Sequence, residues 1–226
     1  MTARSRHVLL TRPHADSLAL AAEVEARGFI PFIEPLLTVM PVDHDSPDLR
    51  SYEGIVLTSA HAATHFKPAH KDITVYAVGD HTAQAARAAG YRHVISASGD
   101  ADDLTALISG VTGKLLYVRG EDISRPLQPE MDELTVYRAV PASALSLECA
   151  AHLQSGVFSH ALFFSGRSAQ TFVDLIHRNA QEGAVSGINA LCIGAGMVKS
   201  LSVLPWHRID VAKTPDRAAM LDLLTR

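Results

Sequence analysis

The 226-residue chain contains little cysteine, no long apolar run and no block of basic residues. Cys149 and Cys192 are the only cysteines, with no CxxC and no pairable spacing, so a disulfide framework is excluded and a reducing compartment is expected. No stretch approaches membrane-spanning length. Arg4, Arg6 and His7 precede only Val8-Leu9-Leu10, far short of a signal-peptide core, so a cytoplasmic protein without membrane partners is expected. A net charge of −4 without a basic run disfavours nucleic acid as a partner.

The common chemical motifs are missing as well. There is no GxxxxGK[ST] loop, and Gly194-Ala195-Gly196 starts like a dinucleotide fingerprint but has Lys199 in the place of its third glycine. His61-Ala62-Ala63-Thr64-His65 spaces two histidines four apart, yet Ala62 stands where an HExxH motif needs glutamate. Among 12 histidines such a pair reads as a surface coincidence, and no metal is expected. Gly166-Arg167-Ser168-Ala169-Gln170 lacks the closing glycine of a nucleophile elbow.

What is present is ordinary folded composition, 47% hydrophobic and 19% charged, arranged as a repeated unit. Val75-Tyr76-Ala77-Val78-Gly79 passes through Asp80-His81-Thr82 into an Ala-rich segment closed by Gly90, which reads as strand, tight loop, helix and cap. Ala190 to Leu201 repeats this grammar. Ile55-Val56-Leu57-Thr58-Ser59 is answered by Ala161-Leu162-Phe163-Phe164-Ser165, and Val94 to Asp100 by Ile209 to Asp216, in the same order. Three ordered matches predict two similar lobes of about 100 residues each.

Along the chain, a strand at His7 to Thr11, a helix capped by Asp16 or Ser17 with Leu18, Ala21, Ala22 and Val24 inward, and a strand at Phe29 to Glu34 form a βαβ unit. Strands then alternate with helices from Tyr52 to Arg119 and from Leu145 to the end, as continuous apolar runs suited to buried parallel sheets. Two extended, proline-flanked pieces separate these blocks. The strand count predicts an α/β fold of two flavodoxin-like parallel-sheet domains joined by a two-stranded antiparallel linker. Residues 1–36 plus 141–226 make one domain, 42–133 the inserted one, and 37–41 with 134–140 the linker, acting as a hinge.

In such sheets ligands bind beyond the carboxyl ends of the strands. Those ends are Thr11-Arg12, Thr58-Ser59-Ala60, Gly79 to Thr82, Arg119-Gly120, Ser165-Gly166 and Gly194-Ala195-Gly196. Small residues there expose N–H groups at helix starts, which carry roughly half a positive charge and suit carboxylates or phosphates.

Val8 to Pro13, Ile55 to Ala60, Val75 to Gly79 with Thr82-Ala83, Leu115 to Glu121, Val136-Tyr137-Arg138, Phe163-Phe164-Ser165 and Cys192-Ile193-Gly194 fall in an order that resembles the uroporphyrinogen-III synthases, over nearly the whole chain. The resemblance implies no cofactor, and cyclisation of the linear tetrapyrrole hydroxymethylbilane with inversion of ring D and loss of water. It implies hydroxymethylbilane synthase as the upstream partner and a monomer. It makes Tyr137 the catalytic acid, and gives substrate-binding places to Thr58, Ser59, Ala60, His61, Gly79, Thr82, Arg12, Arg119, Ser165, Gly166 and Gly194, with Arg138 as further positive charge. Gly166, Gly196-Met197 and the short 120–137 segment depart from the family pattern. Two other readings of the same residues are a non-catalytic two-lobed tetrapyrrole-binding or sensing module, and a flavin or nucleotide protein of flavodoxin-like fold.

Overall fold

The computed structural model describes residues 6–97, 99, 101–122, 126–127 and 131–225; Arg4, Ser98, Asp100 and Pro129 lie outside them. It divides into two compact units, residues 1–38 with 140–226, and residues 39–139. No described helix is long and apolar enough to cross a membrane.

The first unit is built on a five-stranded sheet of β1 (His7–Leu10), β2 (Ile30–Ile33), β9 (Phe158–Phe163), β10 (Asn189–Cys192) and β11 (Arg208–Val211), in the order β11-β10-β9-β1-β2, with all neighbouring strands parallel. Its helices are α1 (His14–Glu25), α5 (Leu147–Gln154), α6 (Gly166–Arg178), α7 (Val198–Leu201) and α8 (Arg217–Asp222). Parallel strands need helical crossovers that cover both faces, so their side chains are apolar on both sides. Leu9, Phe163 and Cys192 accordingly point into one core, and Val8, Leu10, Leu162 and Leu191 into the other.

The second unit carries β3 (Leu37–Pro41), β4 (Gly54–Leu57), β5 (Thr74–Ala77), β6 (His93–Ser96), β7 (Leu115–Gly120) and β8 (Asp132–Pro141), in the order β3-β8-β7-β4-β5-β6. Its helices are α2 (Ala60–His65), α3 (Asp80–Ala88) and α4 (Ala101–Ile108). Ile55, Leu57, Leu116 and Val118 fill one core, and Val56, Tyr76 and Tyr117 the other.

The two sheets share one arrangement with the chain order rotated. Strands β4, β5 and β6 stand in the second sheet as β9, β10 and β11 stand in the first, and β7 and β8 take the places of β1 and β2. The pair flanking the central strand therefore comes first in one unit and last in the other. This accounts for the three ordered repeats in the sequence. Helix α1, which joins β1 to β2, has no counterpart among the described residues between β7 and β8.

The segments 37–41 and 134–140, expected as a two-stranded linker, form β3 and most of β8, which neighbour one another at one side of the six-stranded sheet, where β8 also pairs in parallel with β7 from Leu116↔Asp132 to Gly120↔Tyr137. Backbone N–H and C=O groups along an extended segment need partners, and the open edge of β7 supplies them. Two expectations need correction, both on the first helix. Helix α1 is preceded by Pro13 with no side-chain cap; Asp16 instead lies in its first turn. The buried face of α1 is Ser17, Leu20 and Val24, whereas Leu18 is 54% exposed, because positions 17, 20 and 24 follow the helical period and 18 leaves it.

Strand β8 is pinned at its start. The Asp132 carboxylate accepts from Lys114 Nζ at 2.6 Å and from the Tyr52 hydroxyl at 2.8 Å. These bonds, Lys114 first, hold its pKa below the usual 3.8. A depressed carboxylate stabilises above the unfolded value and loses that contribution as pH falls through the lower, folded value. Thermal melts of wild type and Asp132→Asn are therefore expected to differ at neutral pH and to converge below about pH 4; a gap that persists in acid would show another cause.

Candidate functional site

At the carboxyl edge of the second sheet, β4 ends at Leu57 and the chain enters α2 through Thr58 and Ser59. Ser59 is extended and its side chain accepts the His61 N–H at 3.2 Å, a cap that satisfies one orphan donor of the helix. The Thr58 hydroxyl lies 2.8 Å from the Tyr117 hydroxyl. Burial pushes the Tyr117 phenol above its ordinary value, with the Thr58 bond and the Arg119 charge pulling the other way, so it is protonated at neutral pH. Gly79 precedes α3 without a side-chain cap, leaving the first N–H groups of that helix to other acceptors. Thr82 is packed inward with Ala83 and Ala86 and is only 5% exposed.

Tyr137 lies on β8, half-buried against the core below α2. Its ring centroid is 5.7 Å from that of His61 and 5.8 Å from that of His65. In register it faces Gly120 of β7.

The arginines are engaged. Arg119 Nε and Nη2 reach Glu133 Oε2 at 2.9 and 2.8 Å, while Nη1 donates to the carbonyls of Gly120 and Glu121. Arg12 pairs with Asp16 at 2.9 Å and lies 4.8 Å above the Phe164 ring. Arg12 and Arg119 occupy equivalent places, each just past or at the end of the strand beside the central one. Each guanidinium is paired with a carboxylate. Arg138 is exposed.

In the first unit, Ser165 caps α6 by accepting the Ser168 N–H at 3.1 Å, and the two serine hydroxyls lie 2.9 Å apart. Gly166 opens α6 and Gly194 precedes a short 3-10 turn at Ala195–Met197; a Cβ at either would meet nothing within 4 Å. Each is a strand end where ligand atoms can come close to the backbone.

The structure thus gathers Thr58, Ser59, Ala60, His61, Gly79, Arg119 and Tyr137 at one sheet's carboxyl edge, and Arg12, Ser165, Gly166 and Gly194 at the other's. The sequence reading missed Tyr117, His65 and the role of Gly120. Their signal is spatial: the Tyr117 hydroxyl meets that of Thr58, the His65 ring lies 5.8 Å from the Tyr137 ring, and Gly120 pairs with Tyr137. Two cavities, of about 930 Å³ near Tyr52, His70 and His93 and about 430 Å³ near His160, Asn189 and Arg208, lie at the amino ends of the strands. They are remote from these helix starts, whereas ligands of doubly wound sheets bind beyond the carboxyl ends of the strands.

A family model described as uroporphyrinogen-III synthase HemD matches residues 19–222. The chain belongs to the uroporphyrinogen-III synthase family. It is accordingly a cyclising lyase of tetrapyrrole synthesis. No curated protein matches it. Among solved structures, a mutant uroporphyrinogen III synthase from the extremely thermophilic bacterium Thermus thermophilus aligns over 97% of both chains with 17% identity and a TM-score of 0.53, which shows the shared two-domain α/β fold. Another Thermus thermophilus uroporphyrinogen III synthase structure is 16% identical over 98% of both chains, with a TM-score of 0.44.

Proposed function

We propose that the chain closes hydroxymethylbilane to uroporphyrinogen III, with Tyr137 as the acid that starts the reaction. The observation carrying this is the placement of the Tyr137 phenol beside His61 at the sheet edge formed by Thr58, Ser59 and Arg119. The hydroxyl of the hydroxymethyl group leaves poorly as hydroxide. A phenol protonated at neutral pH donates its hydrogen to that oxygen as a pyrrole nitrogen pushes, the C–O bond breaks, and water departs. A phenolate and a cationic methylene-pyrrole remain. The cationic methylene bonds to the substituted α-carbon of ring D; the bond from that carbon to the ring C methylene then breaks and re-forms at the free α-carbon of ring D, which inverts the ring and releases one proton that restores the phenol. Net loss is one water.

The acetate and propionate groups of the substrate are suited to the N–H groups at Ser59-Ala60, Gly79, Ser165-Gly166 and Gly194, helped by the hydroxyls of Thr58 and Ser165 and the imidazole of His61. Arg119 also braces the strand end by donating to the carbonyls of Gly120 and Glu121, while Arg12 is held by Asp16 and the Phe164 ring. Thr82 supports α3 from within. In this reading the substrate comes from hydroxymethylbilane synthase, and the chain works as a cytoplasmic monomer without a cofactor.

The test is product analysis. Purified protein given hydroxymethylbilane is expected to yield the III isomer, whereas spontaneous closure yields the I isomer; an isomer ratio equal to the protein-free control rejects the activity.

A further inference from the structure

We propose that Gly120 and His65 are positioning residues, two walls of a socket that fixes the Tyr137 phenol; this rests on Tyr137 being the acid. The first wall is backbone. A Cβ added at Gly120 would lie 2.6 Å from Tyr137 Cζ, 2.8 Å from Cε2 and 2.9 Å from the hydroxyl oxygen, closer than side-chain carbons approach other atoms. The phenol therefore rests directly on the Gly120 main chain. Gly120 is outside the left-handed region, so what it provides is room for the ring rather than an unusual backbone angle. The register shift between Arg119 and Gly120 brings the two residues opposite one another.

The second wall is imidazole. His61 and His65 are four apart on α2 and so share a face; their centroids are 6.4 Å from each other and 5.7 and 5.8 Å from the Tyr137 ring. His65 Nδ1 lies 2.8 Å from the His61 carbonyl oxygen, which makes Nδ1 the protonated nitrogen and ties the ring to its own helix. Thr64 Oγ1 donates to the same carbonyl at 3.0 Å. The pair dismissed from the sequence as coincidence thus forms one side of the tyrosine's seat. An acid on a strand has two side-chain torsions to fix before its hydroxyl meets the leaving oxygen. A socket fixes them in advance.

Three measurements test this. Gly120→Ala is expected to lower kcat roughly 10²-fold with KM held within about threefold, the signature of a misplaced acid rather than lost binding. It should also lower Tm, and that loss should vanish when Gly120→Ala is made in a Tyr137→Ala background, because the added methyl collides with the phenol. His65→Ala should reduce kcat about tenfold, and His65→Phe, which restores a ring, should recover most of it. Wild-type kcat and Tm in Gly120→Ala, an equal Tm loss in both backgrounds, or no recovery with phenylalanine would each overturn the socket. Tyr137→Phe running at wild-type speed would instead remove the acid, while the Tm coupling between positions 120 and 137 would still report on the packing.

Discussion

Tyr137→Phe is expected to slow closure of hydroxymethylbilane by roughly 10² to 10⁴-fold, the usual contribution of a positioned proton donor. The substitution removes one oxygen and keeps the ring. Packing against Gly120, His61 and His65 is therefore preserved, and Tm and KM should stay near wild type. Single-turnover kinetics with isomer analysis of the product would check it. A rate within a factor of two of wild type would strip Tyr137 of the role, and the nearby Tyr117 hydroxyl, bonded to Thr58, would become the next donor to examine.

The second large effect concerns stability. The Glu34 carboxylate is 6% exposed and accepts the Ser146 N–H and the Ser146 hydroxyl, both at 2.7 Å, from the start of α5. Beside it, the Ala142 N–H donates to the Leu36 carbonyl. These bonds fasten the point where the chain leaves the first unit to the point where it returns. Glu34→Ala is expected to cost about 3 kcal/mol, since two bonds to a charged group, worth roughly 1.5 to 3 kcal/mol each, are lost. Urea unfolding would measure it; a loss under about 1 kcal/mol would mean that water or a neighbour takes over the two Ser146 donors.

The fold was legible where the physics is local. An apolar run ending in glycine before an Ala-rich segment identifies β5 and α3 because strand burial, helix propensity and a left-handed turn at Gly90 act within neighbouring residues. The membership of β3 and β8 in a sheet was not legible, since it depends on which distant edge is open to them. Among the site residues, Ser59 and Ser165 were placed at helix starts from the sequence, and each caps its helix, because capping is a local act. The Arg12 pairing with Asp16 could be read from its spacing of four, but Glu133 lies 14 residues from Arg119 and its engagement shows only in three dimensions. Gly120 and His65 gain meaning only from β8 lying beside β7.

The rotated strand order has a consequence for biosynthesis. The ribosome releases β1, α1 and β2 first, yet their sheet partner β9 follows far later; the bond from Thr11 to the Leu162 carbonyl spans 151 residues. The central strands of the middle unit, by contrast, emerge as one unbroken series from β4 to β8. That unit can assemble during translation, while β1, paired on one side with β2, waits with its other edge open for the last third of the chain to bring β9.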